Sequence, residues 1–183
     1  MWRRMLTTTA VTALVFGVVS TAGAQSKATK IATAMAAAPA SIAKNATIKG
    51  WPDSSGTMAL LREGSNGWTC LPSHPKTRTL TNDAMCMDSN FGDLIGALMG
   101  NKPPALKGVG YAYMLSANDW ESNTDPMGQK ETPDNEWHHV HPHVMVAYPD
   151  KAMLAGIPTR PSLNGPYVMW ATTPWAHVMW PVK

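Results

Sequence analysis

The apolar positions of this sequence change period along the chain, and one helix stands out. Between Asn90 and Gly100 they recur every three or four residues, at Phe91, Leu94, Ile95, Leu98 and Met99. This spacing places them on one face of a helix, which Asn90 can cap at its start and Gly100 can end. The Ala-rich stretch 25–45 also favours helix, although Pro39 divides it. The pattern predicts an N-terminal helical arm over 25–45 and a separate helix over 90–100.

Strand patterns occupy most of the remaining chain. Residues 56–62 and 68–71 flank the turn-forming stretch 64–67 and predict a hairpin. Alternation of small and aromatic residues predicts a strand over 108–115, and three more strands are expected over 140–148, 167–171 and 175–182. Residues 116–136 lack periodicity and predict a long loop, and residues 150–155 a helical turn that Gly156 ends.

These elements predict the fold class. Adjacent strands with short connections favour antiparallel pairing, so we expect an α+β domain: a small, mostly antiparallel sheet with the N-terminal helical arm and one or two packed helices. Residues 25–183 have a length that suits a single domain.

The first 24 residues have the pattern of a cleavable signal peptide. Arg3 and Arg4 precede the apolar stretch 10–19, and small residues at Ala22 and Ala24 predict cleavage before Gln25. The apolar stretch is too short to span a bilayer, and no later segment qualifies. We therefore expect a soluble periplasmic or secreted protein with no integral membrane span after signal removal.

Composition excludes one large class of partner. The chain has 15 Lys and Arg against 12 Asp and Glu, and the two signal-peptide arginines account for most of that excess. Because neutralising phosphates requires clustered basic residues, nucleic-acid binding is not expected. Protein partners cannot be derived from the sequence.

Cys70 and Cys86 are the chain's two cysteines. Exported proteins retain disulfides that the cytosol would reduce, so we expect the two to be bonded. The alternative is a reactive thiol, which normally needs an electropositive neighbour.

The histidines carry the strongest chemical signal. Strand alternation puts His139, His141, His143 and Met145 on one face of the strand at 140–148, and His177 with Met179 on one face of the last strand. If the two strands pair, His143 and His177 approach one ion, with His141, Met145 and Met179 as additional donors. Imidazole and thioether together favour copper, and imidazole also binds zinc.

Two other functions stay open. Met fills gaps in cores without any metal, and a buried His can simply satisfy backbone carbonyls, which would make this a metal-free binding or structural module of the cell envelope. A hydrolase using His143 or His177 is the third hypothesis. No catalytic motif identifies an enzyme, and a cavity joining His143 or His177 to Asp119, Glu121 or Asp125 would favour one.

Four short motifs carry a resemblance: NGWTC at 66–70, SNTDP at 122–126, PHVM at 142–145 and PYVMW at 166–170. In these motifs, which are spread over most of the chain after the signal peptide, the sequence resembles a group of small exported bacterial proteins of uncharacterised function. The resemblance implies export and a shared fold, and it carries no activity, cofactor or catalytic residue.

Overall fold

The computed structural model describes residues 25–75 and 82–182. The predicted signal peptide lies outside the described residues. Among those that are described, none of the helices has both the length and the apolar character needed to cross a membrane.

Three α-helices, one 3₁₀ turn and ten strands make up this part of the chain. Their bounds are α1 Lys27–Met35, α2 Ala40–Ala43, β1 Thr47–Pro52, β2 Met58–Arg62, β3 Thr69–Leu71, β4 Met85–Met87, α3 Ser89–Met99, β5 Gly110–Met114, β6 Asp119–Ser122, β7 Trp137–Val140, β8 His143–Ala147, the 3₁₀ turn Lys151–Leu154, β9 Tyr167–Met169 and β10 His177–Pro181.

Eight of the strands form one mostly antiparallel sheet, in the order β2-β1-β3-β4-β5-β8-β10-β9, and β6 pairs with β7 in a small second sheet. Only the β1–β3 pair is parallel among the described strands. This confirms the α+β fold class. Strands β5, β8, β10 and β9 form the Met-rich half of the sheet, and helix α3 packs with them in one core. Helices α1 and α2 pack with the disulfide in a second core.

Helix α3 confirms the helix predicted over 90–100, with a different cap. Asp88 precedes the helix, and its Oδ1 accepts a hydrogen bond of 2.8 Å from the Phe91 backbone N–H. Gly100 ends the helix as expected. The apolar stripe, with Phe91 and Leu94 fully buried, faces the sheet.

The predicted hairpin of 56–62 with 68–71 is wrong, because β1 lies between β2 and β3. Strand β1 pairs antiparallel with β2 and parallel with β3. Residues 49–52, Lys-Gly-Trp-Pro, complete β1, and Gly50 is buried there. The turn 64–67 passes over the start of β1. Position 64 requires glycine, because a Cβ there would overlap the backbone of Ala46 and Thr47.

Two further predictions need correction in the His-rich region. The stretch 116–136 is not all loop, because Asp119–Ser122 forms β6. The stretch 140–148 is not one strand: β7 ends at Val140 and β8 begins at His143. Proline has no N–H to donate to a strand ladder, so Pro142 marks the break.

The disulfide between Cys70 and Cys86 is confirmed, with an S–S distance of 2.04 Å. The two residues face each other across β3 and β4, and both are fully buried. The crosslink therefore fastens adjacent strands of the main sheet.

Removing this crosslink should destabilise the fold measurably. A loop of about 15 residues corresponds to roughly 3 kcal/mol in the chain-entropy description, so Cys70→Ala/Cys86→Ala should lower the free energy of unfolding in urea by about that amount. Reductant should destabilise the wild type and leave the double variant unchanged. Equal stability of the two proteins without reductant would contradict the expectation.

Gly110 brings α3 close to the sheet, and a substitution there should be costly. A Cβ at Gly110 would lie 2.5 Å from the Phe91 backbone nitrogen, so the helix would have to move. We expect Gly110→Ala to destabilise by about 1–3 kcal/mol, as overpacking typically does. Gly165→Ala is the matched control, since no atom lies within 4 Å of its Cβ position; similar losses for both variants would refute the packing explanation.

Candidate metal centre

A cavity of about 390 Å³ lies between the Met-rich half of the sheet, α3 and the segment 119–129. Seven methionines line it: Met85, Met99, Met114, Met127, Met145, Met169 and Met179. Four carboxylates and three histidines also contribute: Asp83, Asp119, Glu121, Asp125, His74, His143 and His177. The cavity therefore combines soft sulfur donors and imidazoles with acidic groups.

Strands β8 and β10 carry the predicted donors. They pair antiparallel, with Met145 opposite Met179, so His143 and Met145 share a face with His177 and Met179. All four side chains are at most 5 % exposed. The histidines lie deeper than Val144 and Val146, which are only partly buried.

The structure separates His141 from these four donors. Its Nε2 lies 3.1 Å from Nδ1 of His139, and both rings line a second cavity of about 200 Å³ with His138. His143 borders both cavities. The expected alternation of His139, His141 and His143 along one strand fails because the strand breaks at Pro142.

Each buried imidazole is held by one backbone carbonyl. His143 Nδ1 lies 2.6 Å from the carbonyl oxygen of His141, and His177 Nδ1 lies 3.0 Å from that of Trp175. A carbonyl oxygen only accepts hydrogen bonds, so Nδ1 carries the hydrogen in both rings. The lone pair then resides on Nε2, and both Nε2 atoms are buried without a hydrogen-bond partner.

Burial keeps both rings neutral. Desolvation lowers the pKa of His143 to about 4, against a favourable hydrogen bond to His141. Desolvation likewise lowers the pKa of His177 to about 4, and repulsion from His143, when that ring is protonated, and from Lys151 acts in the same direction. At neutral pH, therefore, neither ring must lose a proton before Nε2 binds a ligand.

The wall around His177 is aromatic and partly strained. Its ring meets Phe91 and Trp170 edge to face, with centroids 5.7 Å and 5.0 Å away. Trp170 has a φ of 55°, which L residues adopt at a cost of about 1–3 kcal/mol. Its indole N–H donates to the Ser122 carbonyl oxygen at 2.9 Å, which helps to hold the ring in place.

The acidic side of the cavity contains a buried carboxyl group. Desolvation, with a smaller contribution from Asp119, raises the pKa of Asp83 to about 6, although a hydrogen bond from the His74 backbone N–H opposes the shift. Asp119 is also buried. The cavity thus joins Asp119, Glu121 and Asp125 to His143 and His177, which is the juxtaposition that the hydrolase hypothesis requires.

Sequence reasoning missed two buried methionines of this wall, Met114 and Met169. Met114 lies opposite His143 on β5, and Met169 lies opposite His177 on β9. Each ends a short strand four residues after a glycine, Gly110 and Gly165 respectively. That shared glycine-to-methionine spacing is the sequence feature that could have indicated that the two methionines occupy equivalent positions.

Comparison with known proteins gives no family for this chain. No protein-family model, no curated protein and no solved structure matches it.

The buried titratable groups determine how stability varies with pH. Between pH 6.5 and about 4 the unfolded chain protonates His143 and His177 while the folded protein does not. As pH falls through this window, each ring lowers the free energy of unfolding by up to about 1.4 kcal/mol per pH unit. Desolvation also lowers the pKa of His138, which adds to this slope. Asp83 opposes it below about pH 6, because there the folded state holds the extra proton.

We therefore expect the wild type to lose stability as pH decreases from 6.5 to 4, and Asp83→Asn to lose it more steeply. His143→Leu/His177→Leu should remove most of the loss. Urea unfolding at intervals of half a pH unit measures all three slopes. A slope that neither variant changes would show that these groups do not titrate as described.

Proposed function

We propose that this protein binds copper, as Cu(I), in the larger cavity. The donors are His143, His177, Met145 and Met179. The observation that carries the proposal is the pair of buried Nε2 atoms without partners on a wall of methionine sulfurs. His141 is not in this donor set, because its ring lies against His139.

The imidazoles have the arrangement that metal ligands need. Metal-bound histidines usually donate their other N–H to a carbonyl or carboxylate, which fixes the tautomer and orients the ring. His143 and His177 both do so through Nδ1. A depressed pKa removes competition from protons, so binding is expected to persist into mildly acidic conditions.

The donor set favours copper over zinc. Thioethers select Cu(I), whereas structural zinc sites usually have four ligands drawn from His, Cys and carboxylate side chains. Within residues 25–75 and 82–182, no group of three or more His, Cys, Asp and Glu side chains could hold a metal ion. We therefore propose a metal site in which methionine sulfurs supply the remaining ligands.

The proposed location of the protein is compatible with copper binding by histidine and methionine. We propose that the chain is exported to the periplasm or medium by the predicted signal peptide. The Cys70–Cys86 disulfide suits an oxidising compartment, and it leaves the thioethers and imidazoles as the donors for a soft metal there.

The cavity volume favours a second candidate function. About 390 Å³ lies in the range typical of small-molecule sites. The two unpaired Nε2 atoms would accept hydrogen bonds from a compact ligand that carries N–H or O–H donors. This is the metal-free binding module, and it uses the same Nε2 atoms.

A hydrolase is the third candidate. The cavity does join carboxylates to His143 and His177. However, a general base works best when its pKa is near the working pH, and a pKa of about 4 makes both rings weak bases at neutral pH. We therefore place the enzyme hypothesis below the two binding hypotheses.

Anaerobic Cu(I) titration against a chromogenic Cu(I) chelator tests the proposal. The purified, disulfide-bonded protein should withdraw copper from the chelator. At a copper concentration one hundred times the dissociation constant, the free energy of unfolding should rise by about 2.7 kcal/mol. Zn(II) should bind more weakly.

The variant His143→Leu/His177→Leu should lose this copper binding, whereas His139→Leu/His141→Leu removes two imidazoles outside the donor set and should retain it. If the first variant fails to fold, Met145→Leu/Met179→Leu replaces it, because exchange of Met for Leu nearly conserves volume. Wild-type copper affinity in a folded variant of either cavity pair would refute the proposal. Absence of copper binding in the wild type would leave the small-ligand function.

A further inference from the structure

The half of the sheet that forms the cavity wall has a local twofold symmetry. Strands β8 and β10 run antiparallel, with Met145 opposite Met179. A twofold axis through that pair, perpendicular to the sheet, carries His143-Val144-Met145 onto His177-Val178-Met179. The tripeptide His-Val-Met thus occurs twice in the sequence, and its two copies occupy symmetry-related positions in the sheet.

The symmetry extends to the flanking strands. Strand β5 lies outside β8, and β9 lies outside β10. Met114 pairs with His143, and Met169 pairs with His177. The same axis therefore relates Met114 to Met169.

The hydrogen bonds of the two histidines obey the same symmetry. Each histidine is the first residue of its strand. Each places Nδ1 on the carbonyl oxygen of the residue two positions earlier, His141 or Trp175. Each leaves a buried Nε2 without a partner, so the two halves repeat the side-chain arrangement as well as the backbone.

Each half contains its own set of three soft-metal donors. One consists of Met114, His143 and Met145, and the other consists of Met169, His177 and Met179. All six side chains line the cavity and are at most 5 % exposed. Directly paired residues on one face lie about 5 Å apart, and residues two apart along a strand lie about 7 Å apart. Long, flexible methionines can close such gaps around an ion.

The two histidines are farther from each other than from their own methionines. The register places His143 opposite Pro181, four residues beyond His177. Four residues of strand span about 13 Å, and the Met145–Met179 pair lies between the two rings. A single ion bound to both histidines would require the rings to lean across this pair.

Resting on the proposed function, we infer that the cavity holds two Cu(I) ions in equivalent sites, one bound by Met114, His143 and Met145 and the other by Met169, His177 and Met179. Three-coordinate sites with one imidazole and two thioethers satisfy the preference of Cu(I) for soft ligands. Binding involves no change in copper oxidation state, so no further reactant is needed.

The stoichiometry of Cu(I) binding tests this inference. Under anaerobic ascorbate, which leaves the disulfide intact, the wild type should bind two equivalents. His143→Leu and His177→Leu should each bind one, and Met114→Leu or Met169→Leu should weaken one site about tenfold or more. Met153→Leu is the control, because Met153 is 53 % exposed on the 3₁₀ turn outside the cavity and should bind like the wild type.

Methyl NMR of ¹³C-methionine-labelled protein gives an independent readout. In His177→Leu, one equivalent of copper should shift the methyl signals of Met114 and Met145 and spare that of Met169; in His143→Leu, the Met169 and Met179 signals should move instead. The same spectra of the metal-free variants show whether they are folded.

The outcomes separate this inference from the proposed function. One equivalent in the wild type, lost in either single His variant, would overturn the paired sites while supporting copper binding through both rings. No binding in the wild type would overturn both proposals. Two equivalents that persist in folded His143→Leu and His177→Leu would place the copper elsewhere and also refute both.

Discussion

The antiparallel register of β8 and β10 determines which face of the sheet carries the histidines and methionines of the proposed site. Side chains alternate with a period of two along a strand, so a shift of one residue would exchange the two faces. His143, Met145, His177 and Met179 would then face away from α3, and valines would take their places. Four ladder pairs, from Val178–Val146 to Pro181–His143, define this register.

Helix α3 makes the same face a buried one. Gly110 allows the helix to begin close to β5, and its apolar stripe covers the methionines and histidines. Buried polar atoms without partners typically cost about 1–3 kcal/mol each, and this wall contains two such imidazole nitrogens next to the left-handed Trp170. Unfavourable features that gather at one wall are typical of a functional site.

Local sequence patterns predicted part of this arrangement. The period of α3 and the shared faces of His143 with Met145 and of His177 with Met179 followed from spacing alone, because each depends on a few neighbouring residues. The disulfide followed from the predicted export of a chain with two cysteines. The place of β1 between β2 and β3 depends on contacts between distant segments. In addition, β1 contains Gly50 and Pro52, and both residue types are uncommon in strands. His141 was predicted to lie within a strand, but it lies in the break between β7 and β8, because Pro142 interrupts the ladder. Met114 and Met169 lie on short strands whose partners the sequence does not specify.

The two symmetric halves differ in how the chain joins their strands. Met169 lies 8 positions before His177, whereas Met114 lies 29 positions before His143. Loop-closure entropy grows with the logarithm of length, so closing the longer connection costs about 1 kcal/mol more. During folding, the β9–β10 pair forms from a local contact and the β5–β8 pair from a distant one. From loop length alone, we expect the half that contains His177 to assemble first and to provide the edge on which the half containing His143 completes.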